Sequence, residues 1–181
     1  MILLASKSSG RLATLRAAGV EPLVRVSSVD EETVLGELIR RRRDAGLPAP
    51  SAAEQVQALA RAKALDVMTS TDPQEAEVVV GCDSMLEIAG QVVGKPADAA
   101  QARERWRMMS GGTGTLHTGH FLVRTADGTT AEGVSSATIR FGSPSPAEVE
   151  AYIASGEPLW CAGAFTIDGL GGAFIEGIDG D

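Results

Sequence analysis

The residues best suited to chemistry open the chain. Met1-Ile2-Leu3-Leu4 is an apolar run that reads as a short buried strand, and Ala5-Ser6-Lys7-Ser8-Ser9-Gly10-Arg11 follows it. After Arg11 an apolar helical pattern begins at Leu12 and Leu15 and closes at Gly19. A strand, a hydroxyl-rich loop and a helix in that order aim backbone N–H groups, hydroxyls and the positive end of a helix at one point. With Lys7 and Arg11 beside them they suit a phosphate, and they equally suit an ordinary helix cap. The glycine spacing is not that of a Walker A loop. A second chemical position is Asp83, at the end of the run Val78-Val79-Val80-Gly81-Cys82. A carboxylate there is costly unless paired, metal-bound or set in a cleft, and active-site carboxylates often sit at strand ends. Lys63, among alanines near the end of a helix, and Lys95, after a hairpin, are the cations to consider with it.

The elements that must position these residues follow in order. Leu23-Val24-Arg25-Val26 reads as a second strand, and a helix from near Glu32 carries Arg40 to Arg43, a solvated basic face. Ser51-Ala52-Ala53-Glu54 is a capping box opening an alanine-rich helix to about Val67. The strand from Glu77 to Ile88 turns at Ala89-Gly90 into Gln91-Val92-Val93, and a helix from Asp98 to Met109 places Trp106 in a core. Two long strands, Gly114 to Thr125 and Thr129 to Phe141, meet at Asp127-Gly128. His117 and His120, three apart on a strand, face opposite sides and do not share a metal. Pro144-Ser145-Pro146 opens a last helix, and the glycines between Cys161 and Glu176 mark tight bends.

Bulk composition narrows the class. A chain of 181 residues, 44% apolar with 21 glycines, fits one α/β domain of at most two lobes. A net charge of −8 weighs against a nucleic-acid polymer as partner but leaves room for a small phosphorylated ligand. Cys82 and Cys161 have no metal-binding spacing and fit reduced thiols in a cytoplasm, where a disulfide is not needed. The start lacks the basic region of a signal peptide, and no stretch is long enough to span a membrane.

Ala5-Ser6-x-Ser8, Val29-Asp30-Glu31, Ala62-Lys63-Ala64, Cys82-Asp83-Ser84, Gly94-Lys95-Pro96-x-Asp98, Ser110-Gly111, His117-Thr118-Gly119, Tyr152-x-x-Ser155-Gly156-Glu157-Pro158 and Ala162-Gly163-x-Phe165-x-Ile167-x-Gly169 occur in that order. In this the whole chain resembles the Maf-type nucleotide pyrophosphatases. The resemblance implies a single Maf-like domain over residues 1–181. Its fold would be a mixed, twisted α/β sheet with flanking helices and two lobes around a deep cleft, related to the inosine-triphosphatase fold. It implies a cytoplasmic, commonly homodimeric hydrolase that cuts nucleoside triphosphates to monophosphate and pyrophosphate with magnesium or manganese. By position, Asp83 matches the catalytic aspartate, and Ser6, Ser8, Arg11, Glu31, Lys63 and Lys95 match the phosphate-and-metal cluster, with Glu31 and Asp83 as metal ligands. The alternative is a nucleotide-binding regulator of septum formation and cell division with little turnover. A phosphatase releasing orthophosphate is disfavoured, because the chain lacks a nucleophilic Asp-x-Asp or Cys-x5-Arg signature.

The chain departs from the family pattern in three places. Ser-x-Ser-Pro-Arg-Arg is here Ser6-Lys7-Ser8-Ser9-Gly10-Arg11, with Lys7 available to supply charge. Members favouring thymidine and uridine triphosphates carry Arg, Thr and Gln, and those favouring 7-methylguanosine triphosphate carry Trp, Gln and Glu, where this chain has Gly10, Ser84 and Asp168. A carboxylate only accepts hydrogen bonds, so Asp168 tilts toward a guanine-like edge while the Phe165-Thr166-Ile167-x-Gly169 frame resembles the pyrimidine group. The family's usual C-terminal segment does not follow Ile178-Asp179-Gly180-Asp181, which implies either a shortened chain or a longer one of which these residues are a part.

Overall fold

The computed structural model describes residues 1–180; Asp181 lies outside the described residues. Its strands are β1 (Ile2–Leu4), β2 (Leu23–Val24), β3 (Val78–Ile88), β4 (Gln91–Val93), β5 (Thr113–Arg124), β6 (Thr130–Phe141) and β7 (Ile175–Gly180). Its helices are α1 (Ser9–Ala17), α2 (Glu31–Asp44), α3 (Ala52–Met68), α4 (Ala99–Met109) and α5 (Pro146–Ala154). Among the described residues, seven strands join in one sheet in the order β2-β1-β3-β5-β6-β7, with β4 paired to β3 off this path. β1 is parallel to β2 and β3, whereas β3–β4 and β6–β7 are antiparallel. This is the mixed α/β class read from the sequence. No helix among the described residues is long and apolar enough to cross a membrane.

The chain forms two compact units, and β3, β5 and β6 contribute residues to both. The first unit holds Met1–Asp83 and Thr118–Val134. Its core gathers Leu3 and Ala5, Val79 of β3, Phe121 and Val123 of β5, and Ala60, Ala64 and Val67 of α3. Small residues let α3 come very close to the strands. A Cβ at Gly81 would lie 2.1 Å from the Ala60 carbonyl oxygen and 2.8 Å from the Ala64 Cβ, and a Cβ at Gly119 would lie 2.5 Å from the Val56 carbonyl. The glycines before Cys82-Asp83 and after His117-Thr118 are therefore contact points for the helix that carries Lys63.

The second unit holds Ser84–His117 and Ser135–Asp181. Trp106 is 1% exposed and meets Phe141, Tyr152 and Phe174 edge to face. Its indole N–H donates to the Ala164 carbonyl at 3.0 Å.

Several boundaries differ from the sequence reading. α1 starts at Ser9 rather than after Arg11, because Ser8 caps it and accepts the Arg11 backbone N–H at 3.4 Å. β3 spans Val78–Ile88, one residue shorter at its start than the strand read from the sequence, and Asp83, at the end of the valine-rich run, lies in its middle. β7 is an additional strand that the bends expected after Cys161 did not announce.

The expected Ser51–Glu54 capping box forms at α3, and a second, Ser145–Glu148, closes the start of α5. Hydrogen bonds from the Ser51 backbone and side chain hold the Glu54 carboxyl below its usual value, and those from the Ser145 side chain and backbone do the same for Glu148. Their contribution to stability is fully present above the ordinary value of 4.5 and is lost as pH falls through the depressed ones. Melting curves between about pH 6 and about pH 3 should show a shallower acid slope for Glu148→Gln than for the parent.

Candidate active site

The site in the first unit is built from three chain segments that meet at Asp83 of β3. β1 is almost fully buried at Leu3 and Leu4, and its ladder continues through the Ala5 N–H, which donates to the Val80 carbonyl at 2.8 Å. That pairing fixes the start of the serine loop beside the stretch of β3 leading to Asp83. Ser6, 9% exposed, accepts the Ser8 N–H at 3.2 Å and an Arg11 guanidinium N–H at 3.0 Å. The same Arg11 Nη1 donates to the Cys82 carbonyl at 2.9 Å. Arg11 thus ties the first turn of α1 to the residue before Asp83. Lys7 is exposed and Gly10 is half-buried in that first turn.

The second segment is the start of α2. Asp30 caps it, accepting from the Glu32 N–H at 3.2 Å and the Thr33 hydroxyl at 2.7 Å, which makes Glu31 the first helical residue. The third is α3, whose Lys63 ammonium lies 2.5 Å from Asp83 Oδ1 and 2.7 Å from Glu31 Oε1. Lys63 is not the surface lysine that its alanine neighbours would allow: its side chain is 13% exposed, and that of Asp83 is 11%. One turn further along α3, Asp66 accepts the Ser28 N–H at 2.7 Å and its hydroxyl at 3.0 Å. Asp66 therefore holds the loop that delivers Glu31. Sequence reasoning missed this residue, although its spacing of three from Lys63 puts both on one helix face.

The electrostatics follow from burial and pairing. Burial, the largest influence, pushes the Asp83 carboxyl up, and the Lys63 ammonium only partly offsets it. Burial also pulls on Lys63 in its own direction, downward, but Asp83 and Glu31 outweigh it and the net displacement is upward. Cys82, buried, is raised by desolvation. The result is a carboxylate with more proton affinity than usual, held beside a fixed cation.

Two carboxylates, those of Asp83 and Glu31, converge on one ammonium. Among the described residues no group of three or more His, Cys, Asp or Glu side chains gathers as a self-contained metal site. A pair of carboxylates is nevertheless the protein share that magnesium takes when substrate phosphates and water complete its shell, so the residues fit such an ion.

Of the residues singled out in the sequence, Ser6, Ser8, Gly10, Arg11, Glu31, Lys63 and Asp83 belong to this unit. Ser84, Lys95 and Asp168 belong to the second. Ser84 follows Asp83 in β3 and is half-buried. Lys95 is exposed, and its carbonyl accepts from Arg105, a buried guanidinium that also donates to the Gly94 carbonyl. Asp168 is exposed in a turn between short 3-10 segments. His117 has its Nδ1 2.8 Å from the Ser136 hydroxyl and its Nε2 3.5 Å from Glu87, while the His120 carbonyl accepts from Gln57.

Comparison with known proteins bears on the whole chain. The family model described as Maf-like protein matches residues 1–181. A protein from Mycobacterium sp. (strain JLS) described as nucleoside triphosphate pyrophosphatase is 49% identical over 185 residues, covering 99% of this chain and 84% of the relative. Proteins with the same description from Streptomyces coelicolor and Rhodococcus jostii are 48% and 50% identical, covering 99% and 98% of this chain and 81% and 82% of themselves.

Proposed function

We propose that this chain, which belongs to the Maf-like protein family over residues 1–181, hydrolyses nucleoside triphosphates to nucleoside monophosphate and pyrophosphate. The observation that carries the reading is the buried Asp83 carboxylate 2.5 Å from Lys63. Burial raises its proton affinity, and the lysine beside it opposes part of that rise. The described activity of the relatives supports it.

In this mechanism Asp83 takes a proton from a water molecule whose oxygen bonds to the α-phosphorus. The bond from that phosphorus to the bridging oxygen breaks, and pyrophosphate leaves with the electron pair. A triphosphate carries about four negative charges at neutral pH, so cations must receive it. Arg11, Lys63 and Lys95 supply them, with the Ser6 and Ser8 hydroxyls and the N-terminal turn of α1 as further hydrogen-bond donors. Asp83 and Glu31 would hold a magnesium or manganese ion, which when bound adds positive charge at the phosphate oxygens and lowers the pKa of coordinated water. The same reading carries a cytoplasmic location and a homodimer.

A panel of nucleoside triphosphates with magnesium or manganese tests it, with pyrophosphate and orthophosphate detected separately. Pyrophosphate from one or a few triphosphates is the expected result. Orthophosphate instead overturns the reaction type. Binding without turnover would favour the regulator of septum formation.

Gly10, Ser84 and Asp168 are proposed to read the base. Asp168→Gln replaces an acceptor-only group by one that also donates, and uracil and thymine present two carbonyls around one N–H. The variant should move preference toward uridine or thymidine triphosphate by about tenfold, the worth of one hydrogen bond. An unchanged profile of kcat/KM across the panel would remove Asp168 from base recognition.

A further inference from the structure

The segment Tyr152-x-x-Ser155-Gly156-Glu157-Pro158 takes no part in the chemistry above, yet it gathers an unusual set of contacts within the second unit. The Tyr152 hydroxyl, at the end of a side chain packed on Trp106, donates to Glu157 Oε1 at 2.8 Å. The same oxygen accepts the Gly171 N–H at 3.0 Å, and Oε2 accepts the Leu170 N–H at 2.9 Å. A Cβ at Gly169 would lie 2.4 Å from Oε2, so the chain is folded directly onto this carboxylate. The near side of the same turn is closed by the Asp168 N–H, which donates to the Thr166 hydroxyl at 3.2 Å, and the far side by the Gly172 N–H, which donates to the Gly169 carbonyl at 3.1 Å.

Every one of these bonds fixes the backbone on either side of Asp168, while the Asp168 residue itself is exposed. The two amides are 13 and 14 residues away from Glu157 in the chain, so their order depends on this carboxylate and not on local turn preference. Tyr152 and Trp106 anchor the carboxylate in turn to the aromatic core.

We propose that Glu157 is a positioning residue for nucleotide selection. It sets the conformation of the Thr166–Gly172 segment and so the direction in which the Asp168 carboxylate meets a nucleobase. The inference rests on the reading of Asp168 as a base contact.

Glu157→Gln tests it against the nucleotide panel, with Tyr152→Phe and Asp168→Asn alongside. An amide at 157 can accept one of the two backbone N–H groups but turns its own N–H₂ toward the other. The expected result is a raised KM for the preferred triphosphate and a preference over the next nucleotide reduced by about tenfold, with kcat for the poorer nucleotides within about twofold of the parent. Tyr152→Phe keeps both backbone contacts and should give a smaller change in the same direction. A uniform fall in kcat across all nucleotides would mark a merely structural role and overturn the inference. So would an unaltered preference in Glu157→Gln when Asp168→Asn alters it. An unaltered preference in Asp168→Asn overturns the base assignment and the inference with it. Where the Gln variant does not fold, Glu157→Asp carries the same test, since it keeps the charge but is one methylene too short to reach both amides.

Discussion

Asp83→Asn should lower turnover by about a thousandfold, the middle of the range for loss of a positioned general base. The substitution keeps the shape of the side chain and removes only its charge and basicity. Lys63 retains Glu31 as a partner at 2.7 Å, so its ammonium is not stranded. Stability should hold or improve slightly. The folded-state pKa of Asp83 is raised, so the uncharged form favours the fold below the ordinary 3.8, and that preference is lost as pH rises through the raised value. An ionised, buried Asp83 is a load on the fold that Lys63 partly offsets, and the neutral amide removes that load. Pyrophosphate release measured beside a melting curve separates the two effects. Turnover within about tenfold of the parent would dismiss Asp83 as the base.

Gly81→Ala should be the most damaging single substitution in the first unit. The new Cβ would sit 2.1 Å from the Ala60 carbonyl oxygen, a backbone atom in the middle of α3 that cannot rotate away. Overpacking of this kind costs about 3 kcal/mol, the upper end of its usual range. In a chain of this length that is a drop of roughly 6–12 °C in melting temperature. Activity should fall as well, because the helix that must move carries Lys63. Gly36→Ala is the matching control: it lies in α2, where a Cβ meets nothing within 4 Å, and the better helix former should raise stability by up to about 1 kcal/mol. Equal melting temperatures for the parent and Gly81→Ala would refute the close contact.

Much of this was legible in the residues, for reasons that differ from element to element. The capping box at Ser51, the helix start at Ser145 and the Ala89-Gly90 hairpin were readable because their determinants are local. So was the span of β3, from its valine run and the turn that ends it. The partner that makes a carboxylate tolerable in the middle of that strand was not, because the Lys63 ammonium lies 20 residues earlier in the chain. β7 was hidden because Glu176-Gly177-Ile178-Asp179-Gly180 is polar and glycine-rich, and its strand character comes from antiparallel pairing with β6. At the site, Asp83 stood out by burial cost alone. Glu31 entered only through the family resemblance, since nothing local tells a first-turn glutamate that pairs with a distant lysine from one that serves the helix dipole. Asp66 escaped altogether, and Glu157 entered only inside a family motif with no role attached, because both act on backbone amides distant in sequence.

The contact of α3 with β3 and β5 through Gly81 and Gly119 has a kinetic consequence. A helix seated at van der Waals distance on two strands cannot slide or roll by a fraction of a turn without a clash. Any exchange of partners by Lys63, from Glu31 or Asp83 to an arriving anion, therefore falls to the rotations of its own four-carbon stem. Exposed side chains change rotamer in nanoseconds or less, against microseconds to milliseconds for a helix shift; Lys63, held by Asp83 and Glu31, is slowed only by the breaking of those contacts. The cation of this site is thus handed over by side-chain rotation alone, on a backbone that stays still.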